Sequence, residues 1–336
     1  MGWLGEYRAS LKPSAVEEPI DRWVHRPLAF LVAKAAAKAS LTPNQLTVFS
    51  MLLGVTTGVL LLVGATSVGA TSVGTRALMI AAALTLFASQ VVDCSDGMLA
   101  RMRGGGSEIG RMLDGCADTV TLLFASVGTI CHLVARGPRD GLAMVALLGA
   151  LGVTLYTSSL HTSAYDHYKN LFLRGTIPGD HEGEDVESAQ LRWDRVRAQG
   201  RGGRGATLLE DVLFRIYVGY LRAQRRLIAW YDPDALVRLS ELPAGSPAAR
   251  VVFAQSMQPT LVWWRSLFGV GSLVFTFSLA LALDQLVLFV AFRLVVLNAI
   301  FFLVLLPAQR SASRRAMAAL GVQPRPPEDR ARLLHA

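Results

Sequence analysis

Four aspartates, Asp93, Asp96, Asp114 and Asp118, stand in the otherwise apolar stretch VVDCSDGMLARMRGGGSEIGRMLDGCADTV from 91 to 120. Ionised carboxylates leave water only at high cost unless something compensates them. Asp93 and Asp96 are three residues apart and Asp114 and Asp118 four apart, so each pair projects from one face of its own helix. A Gly-rich turn at 104 to 106 joins these helices, which must then run antiparallel with neighbouring ends. A rise of ~1.5 Å per residue from those ends brings all four carboxylates to one shallow depth.

Converging carboxylates are the hard-oxygen ligands that Mg²⁺, Mn²⁺ or Ca²⁺ prefer. Four exceed what one Mg²⁺ usually takes from protein, so two bridged metals, a clamp suited to phosphoryl transfer, explain the set better. Gly97 leaves a gap beside Asp96, Gly110 permits close approach of the third helix, and Arg101 offers a fixed fork for phosphate oxygens. The plain alternative, acids that suit helix dipoles, fits Asp114 near a helix N-terminus. It fails for Asp93 and Asp96 near a C-terminus.

The elements that must hold these residues are membrane spans. The chain has 336 residues, 52% hydrophobic and 17% charged, with a mean hydropathy of +0.40, too apolar for an ordinary soluble domain. Runs long enough to cross about 30 Å of hydrocarbon lie near 43–63, 77–100, 109–135, 140–165, 257–283 and 285–307. The fold class expected is therefore an all-α polytopic membrane protein with six transmembrane helices. The 41 residues before the first span carry six Lys or Arg and do not look like a cleavable signal peptide.

With the N-terminus inside, the inner segments hold 28 basic residues and the outer loops only Arg76, Arg136 and Arg139. This positive-inside asymmetry predicts an inner-membrane protein with its acidic site facing the cytoplasm. The formal charge of +8 then reflects topology and anionic membrane lipids, and no aromatic-interleaved basic motif points to nucleic acid. Cys94, Cys116 and Cys131 have neither metal-ligand spacing nor an even count, which argues against a zinc site or a disulfide framework.

The run Asp93-x-x-Asp96-Gly97-x-x-Ala100-Arg101, eight residues, Gly110, three residues, Asp114, three residues, Asp118 resembles the signature of the CDP-alcohol phosphotransferase (phosphatidyltransferase) family at all eight specified positions. Six spans, a preceding interfacial helix and TPN at the start of the first span look like this family too. The resemblance implies metal-dependent transfer of a substituted phosphate from a CDP-linked donor to an alcohol acceptor, with release of CMP. It implies that Asp93, Asp96 and Asp114 hold two divalent ions, Mg²⁺ or Mn²⁺. Asp118 would contribute to the second ion and take the acceptor hydroxyl proton. Gly97 and Ala100 would make room for the cytidine, Arg101 would contact the nucleotide end, and Gly110 would complete the donor site.

Five segments are expected: a cytoplasmic N-terminal segment over 1–41, spans one to four over 42–165, a cytoplasmic insertion 166–256, spans five and six over 257–307, and a tail 308–336. Residues 16–40 read as an interfacial helix with Leu28, Leu31, Val32 and Ala35 on one face. Thr42, Pro43 and Gln45 form a capping-box pattern that opens the first span. Gly54 and Gly58 give a GxxxG spacing compatible with a homodimer. GATSV repeats at 64–68 and 69–73 as a linker, and 180–206 reads as flexible. In the amphipathic stretch 208–231, Leu209, Leu213, Ile216, Tyr217, Tyr220, Leu227 and Trp230 face one way.

Arg265 and Arg293 are the basic residues set well within spans, and a buried arginine needs a partner. A phosphorylated acceptor suits Arg265; protein carboxylate or backbone carbonyl suits Arg293. His161, Tyr165 and Lys169 could contact the acceptor, although snorkelling and surface solvation are the commoner use of such residues. Two subtypes stay open, CDP-diacylglycerol with a polar acceptor such as inositol, inositol phosphate, glycerol phosphate or serine, and CDP-choline or CDP-ethanolamine with a diacylglycerol-like acceptor. Arg265 and Lys169 favour the first. A cation or proton transporter would instead place its acids near the midplane on broken helices with repeat symmetry, and no internal repeat is visible. A catalytically dead relative that merely binds CDP-lipid is opposed by the intact set of four acids.

Overall fold

The computed structural model describes residues 2–66, 72–106, 108–177, 186–199, 208–237, 242 and 245–323. Among them the fold is all-helical. A short helix α1 (Trp3–Ser10) precedes α2 (Arg26–Lys38), which is entered through a π-helical turn at Asp21–His25. Four long helices follow: α3 (Pro43–Thr66), α4 (Ser72–Met102), α5 (Glu108–Arg136) and α6 (Gly141–Thr176). Then come α7 (Val186–Gln199), α8 (Leu208–Tyr231), α9 (Pro247–Leu267), α10 (Val270–Ala282), α11 (Leu286–Ala291) and α12 (Leu306–Ala319), the last two linked through π-helical turns at Phe292–Leu297 and Ile300–Leu305. Six candidate spans emerge, Pro43–Thr66, Gly74–Met102, Met112–Arg136, Gly141–Thr176, Pro247–Ala282 and Leu286–Ala319. The fourth runs on past 165 and the fifth begins before 257, because polar residues there continue the helices.

The chain divides into two compact units, Met1–Ser158 with Val270–Leu297, and Ser159–Gly269 with Asn298–Ala336. In the first, α3 opens with the expected capping box: the Thr42 N–H donates to Gln45 Oε1 at 2.8 Å, and the Gln45 N–H to Thr42 Oγ1 at 3.3 Å. Gly54 and Gly58 of α3 face α5. A Cβ on Gly54 would lie 2.3 Å from Thr121 Oγ1, and one on Gly58 would lie 2.5 Å from the Phe124 carbonyl. The glycine spacing thus seats a neighbouring helix of the same chain.

Helix α2 buries Ala29, Phe30, Ala33 and Ala36 against Val91, Val92, Cys94, Met98 and Leu99 of α4. The expected interfacial stripe faces away from α4, with Leu28 and Leu31 exposed, as is Trp23. Small residues let α2 lie close to α4, while the leucines stay available to lipid. Two acids pin the approach to α2. Glu17 Oε1 lies 2.8 Å from Arg26 Nε, both buried, and Arg26 Nη1 donates to the Cys94 carbonyl at 3.2 Å. Glu18 accepts from the Ser272 N–H at 2.8 Å and the Gly271 N–H at 3.4 Å, in the first turn of α10. An acid there meets unsatisfied amide donors.

In the second unit, helix α7 occupies the middle of the stretch expected to be flexible. Val186, Ala189 and Trp193 recur at helical spacing and are buried, and Trp193 stacks on Phe214 of α8 at 4.7 Å between centroids. The rest of 180–206, and the centre of the GATSV duplication, lie outside the described residues. Helix α8 leaves part of its expected apolar face open, as a helix at a membrane surface would, and packs through another. Ile216, Tyr220 and Trp230 are exposed, whereas Val218, Leu221, Gln224 and Ile228 are buried, because Gln224 reaches the Ser163 carbonyl of α6 at 2.9 Å. After α8 the chain dives inward: Asp232 accepts from the Tyr168 hydroxyl at 2.8 Å, and Asp234 pairs with Arg314 at 2.8 Å.

Candidate active site

Helix α4 ends in a turn that its glycines make possible. The Gly105 N–H donates to the Ala100 carbonyl at 2.9 Å and the Gly104 N–H to the Arg101 carbonyl at 3.1 Å, a Schellman arrangement with Gly104 at φ +90°. The GGG segment is therefore a helix stop. It returns the chain into α5 so that the last turns of α4 and the first of α5 share one end of the bundle.

There, one carboxylate oxygen each from Asp93, Asp96 and Asp114 lie within 4.8 Å of one another. Asp118 falls outside this set of three but acts electrostatically on Asp93, and Asp114 and Asp96 act on Asp118. Asp96 is buried and its Oδ2 accepts from the Thr47 hydroxyl at 2.5 Å. Asp93 Oδ1 is buried with no hydrogen-bond partner among the described residues. Three acids this close, one with an unanswered buried oxygen, fit hard divalent cations. Bound there, such ions would supply Lewis-acid stabilisation of negative charge on phosphate oxygens.

Arg101 is oriented from outside its own helix. Its Nε donates to the Ser10 carbonyl at 2.7 Å, and its guanidinium lies over Gly97, where a Cβ would come 3.4 Å from Nη1. Ala100 precedes it in the last turn of α4, and Gly110 lies in the first turn of α5. Sequence reasoning misses two contributors here. Thr47 carries a visible sign, a hydroxyl one turn into α3, but the capping segment just before it accounts for a threonine there equally well. The Ser10 contact comes from a backbone carbonyl and has no residue-type signature.

The expected acceptor residues lie in the second unit. Lys169 pairs with Asp166 at 2.7 Å and sits 5.8 Å from the Tyr165 ring. Arg265 is half-buried near the end of α9, next to Trp264, whose Nε1 donates to Gln309 at 2.8 Å. His161 and Tyr165 are buried, His161 between Phe268 and Phe301 at 4.7 and 4.5 Å. Neither is a snorkelling side chain, because α6 continues inside protein. Arg293, in the first unit, is 3% exposed. It donates from Nε to Ser158 Oγ at 2.9 Å, a hydroxyl where a carboxylate or carbonyl was expected.

A helical pair that gathers acids at one end, with an arginine and glycines at fixed offsets, is suited to holding divalent ions beside phosphate oxygens. Residues 40–170 match the CDP-alcohol phosphatidyltransferase family. The segment holds Thr47, all four aspartates, Gly97, Ala100, Arg101, Gly110 and Lys169. A 91-residue stretch is 44% identical to the phosphatidylinositol phosphate synthase of Corynebacterium glutamicum and covers 27% of this chain and 36% of that protein. The chain thus spans little more than a third of the length of the curated relative it matches. No solved structure is a significant match.

Proposed function

We propose that the protein moves a phosphatidyl group from CDP-diacylglycerol to a polar alcohol such as inositol, inositol phosphate or glycerol phosphate, releasing CMP, in a cytoplasmic membrane with the site facing the cytoplasm. The observation that carries this reading is the Asp93, Asp96 and Asp114 cluster beside an Arg101 held in place by the Ser10 carbonyl. The relative named above, a phosphatidylinositol phosphate synthase, supports the choice of donor and a polyol-type acceptor.

In this reading Asp93, Asp96 and Asp114 hold Mg²⁺ or Mn²⁺, and Asp118 helps with the second ion. Thr47 fixes one oxygen of Asp96 so that the other keeps one direction. Arg101 takes phosphate oxygens at the nucleotide end, with Gly97 and Ala100 leaving space for cytidine. Asp118 accepts the proton of the acceptor hydroxyl as its oxygen bonds to the phosphorus that carries diacylglycerol. The bond from that phosphorus to the bridging oxygen breaks, and CMP departs with that oxygen. A base within hydrogen-bond reach raises the nucleophilicity of the hydroxyl, and fixed positive charge stabilises the leaving phosphate. Arg265 and Lys169 are assigned to acceptor recognition.

The test is CMP release by the purified protein in detergent with Mg²⁺ or Mn²⁺, crossing CDP-diacylglycerol, CDP-choline and CDP-ethanolamine against a panel of acceptors. CMP from CDP-diacylglycerol with a polyol, lost in Asp118→Asn, is the expected result. Absence of CMP from every pairing sinks the proposal. Undiminished rates in Arg265→Ala with every acceptor remove that residue from acceptor recognition.

A further inference from the structure

The segment between α1 and the π-helical turn is anchored at both ends and runs past the acidic site. At its start, Glu6 pairs with Lys34 at 2.5 Å, and Trp3 and Tyr7 pack edge-on against Phe30 with centroids 5.0 and 5.2 Å apart. At its end, Val16, Glu17 and Glu18 are buried, with Glu17 on Arg26 and Glu18 on the first turn of α10. Between these anchors the Ser10 carbonyl takes the Arg101 Nε–H, and Leu11 packs against the cluster shared by α2 and α4. Lys12 is next in line. It is half-buried, two residues beyond the carbonyl that holds Arg101 and next to Leu11 on the α2–α4 cluster, within charge–charge reach of Asp93, Asp96 and Asp118.

We propose that Lys12 is a donor-binding residue that, with Arg101, takes the diphosphate oxygens of the CDP-linked substrate, on a strap formed by residues 10–18 along the site. The inference rests on the transferase reading above. Charge count supports it: four carboxylates and a diphosphate diester carry six negative charges, and two divalent ions cancel four. Arg101 and Lys12 supply the remaining two. The residue types divide the task sensibly. The guanidinium is a rigid fork locked by Ser10, while an ammonium on a flexible stem is a point charge that can swing from carboxylate to phosphate.

This arrangement predicts opposite effects on two ligands, which loss of a merely structural contact does not produce. In the substrate-free protein Lys12 competes with metal ions for the field of the acids. In the donor complex it adds to the metals. The test uses the full-length protein in detergent, as wild type, Lys12→Gln and Lys12→Arg. Equilibrium binding of CDP-diacylglycerol is measured without acceptor at saturating Mg²⁺, and Mn²⁺ binding is measured without donor by electron paramagnetic resonance.

Loss of one charge-assisted contact weakens donor binding about tenfold or more in Lys12→Gln. Mn²⁺ binding tightens by about two- to fivefold in the same variant, and Lys12→Arg keeps donor binding near wild type. Unchanged donor binding in Lys12→Gln overturns the proposal, as does parallel weakening of donor and Mn²⁺. Wild-type protein that binds CDP-diacylglycerol but releases no CMP with any acceptor defeats the transferase reading alone, since the binding comparison still decides the role of Lys12. Wild-type protein that does not bind the donor defeats both.

Discussion

Thr47→Val removes one hydroxyl from the acidic site and little else, since valine nearly matches threonine in shape. Thr47 is 3% exposed and Asp96 7% exposed, and their oxygens lie 2.5 Å apart, so water does not replace the lost donor. A hydrogen bond to a charged group contributes about 1.5–3 kcal/mol net. At 1.4 kcal/mol per factor of ten, that converts to about ten- to a hundredfold. Loss of a partner that orients a metal ligand carries a similar cost, about 10–100-fold in metal affinity. The expected result is therefore a rise of at least about tenfold in the Mn²⁺ concentration that half-saturates CMP release, with smaller change in the donor KM. Thr47→Ser keeps the hydroxyl and stays close to wild type. A change below about threefold in Thr47→Val refutes the claim that this bond positions Asp96.

Two further outcomes follow from the packing and the buried acids. Gly58→Ala forces a Cβ to within 2.5 Å of the Phe124 carbonyl, and overpacking against backbone costs about 1–3 kcal/mol. A lower thermal midpoint is expected, and an unchanged one contradicts the α3–α5 contact. Burial pushes the Glu18 carboxyl up from 4.5 to about 8, with the like charge of Asp21 adding to it. The folded state therefore binds a proton that the unfolded chain releases above about 4.5, so this group costs stability progressively as pH rises from 4.5 to 8 and no further beyond. Glu18→Gln removes that dependence. Its thermal midpoint gains on wild type across this pH window and the gap levels off above it; a constant gap refutes the buried-acid reading.

The acidic site was legible because intramembrane carboxylates are too costly to occur idly, and spacings of three and four fix which face they share. The capping box at Thr42 was legible for the same local reason. What escaped depended on contacts between distant segments. Thr47 meets Asp96 across 49 residues and Ser10 meets Arg101 across 91, and nothing local in either stretch announces the pairing. The inward faces of α2 and α8 were not legible, because a membrane protein offers apolar side chains two kinds of solvent. Leu28 and Leu31 are left outside, while Ala33 and Ala36 pack inside. Helix α7 was missed because its buried residues are few within a charged stretch, and Trp193 stacks on Phe214 of the next helix.

The Schellman turn at Gly104 and Gly105 also bears on how the protein is made. All four aspartates belong to one helical hairpin, α4 and α5, complete by Arg136, whereas α10 begins only at Val270. At about 5–20 residues per second, that leaves roughly 7–27 s before α10 begins to be made. The hairpin and its strap can enter the bilayer and pair early, but α10, which packs on α4 and on Glu18, arrives well after them. The nascent protein thus passes through an interval in which its acids are gathered while the surrounding helices are incomplete.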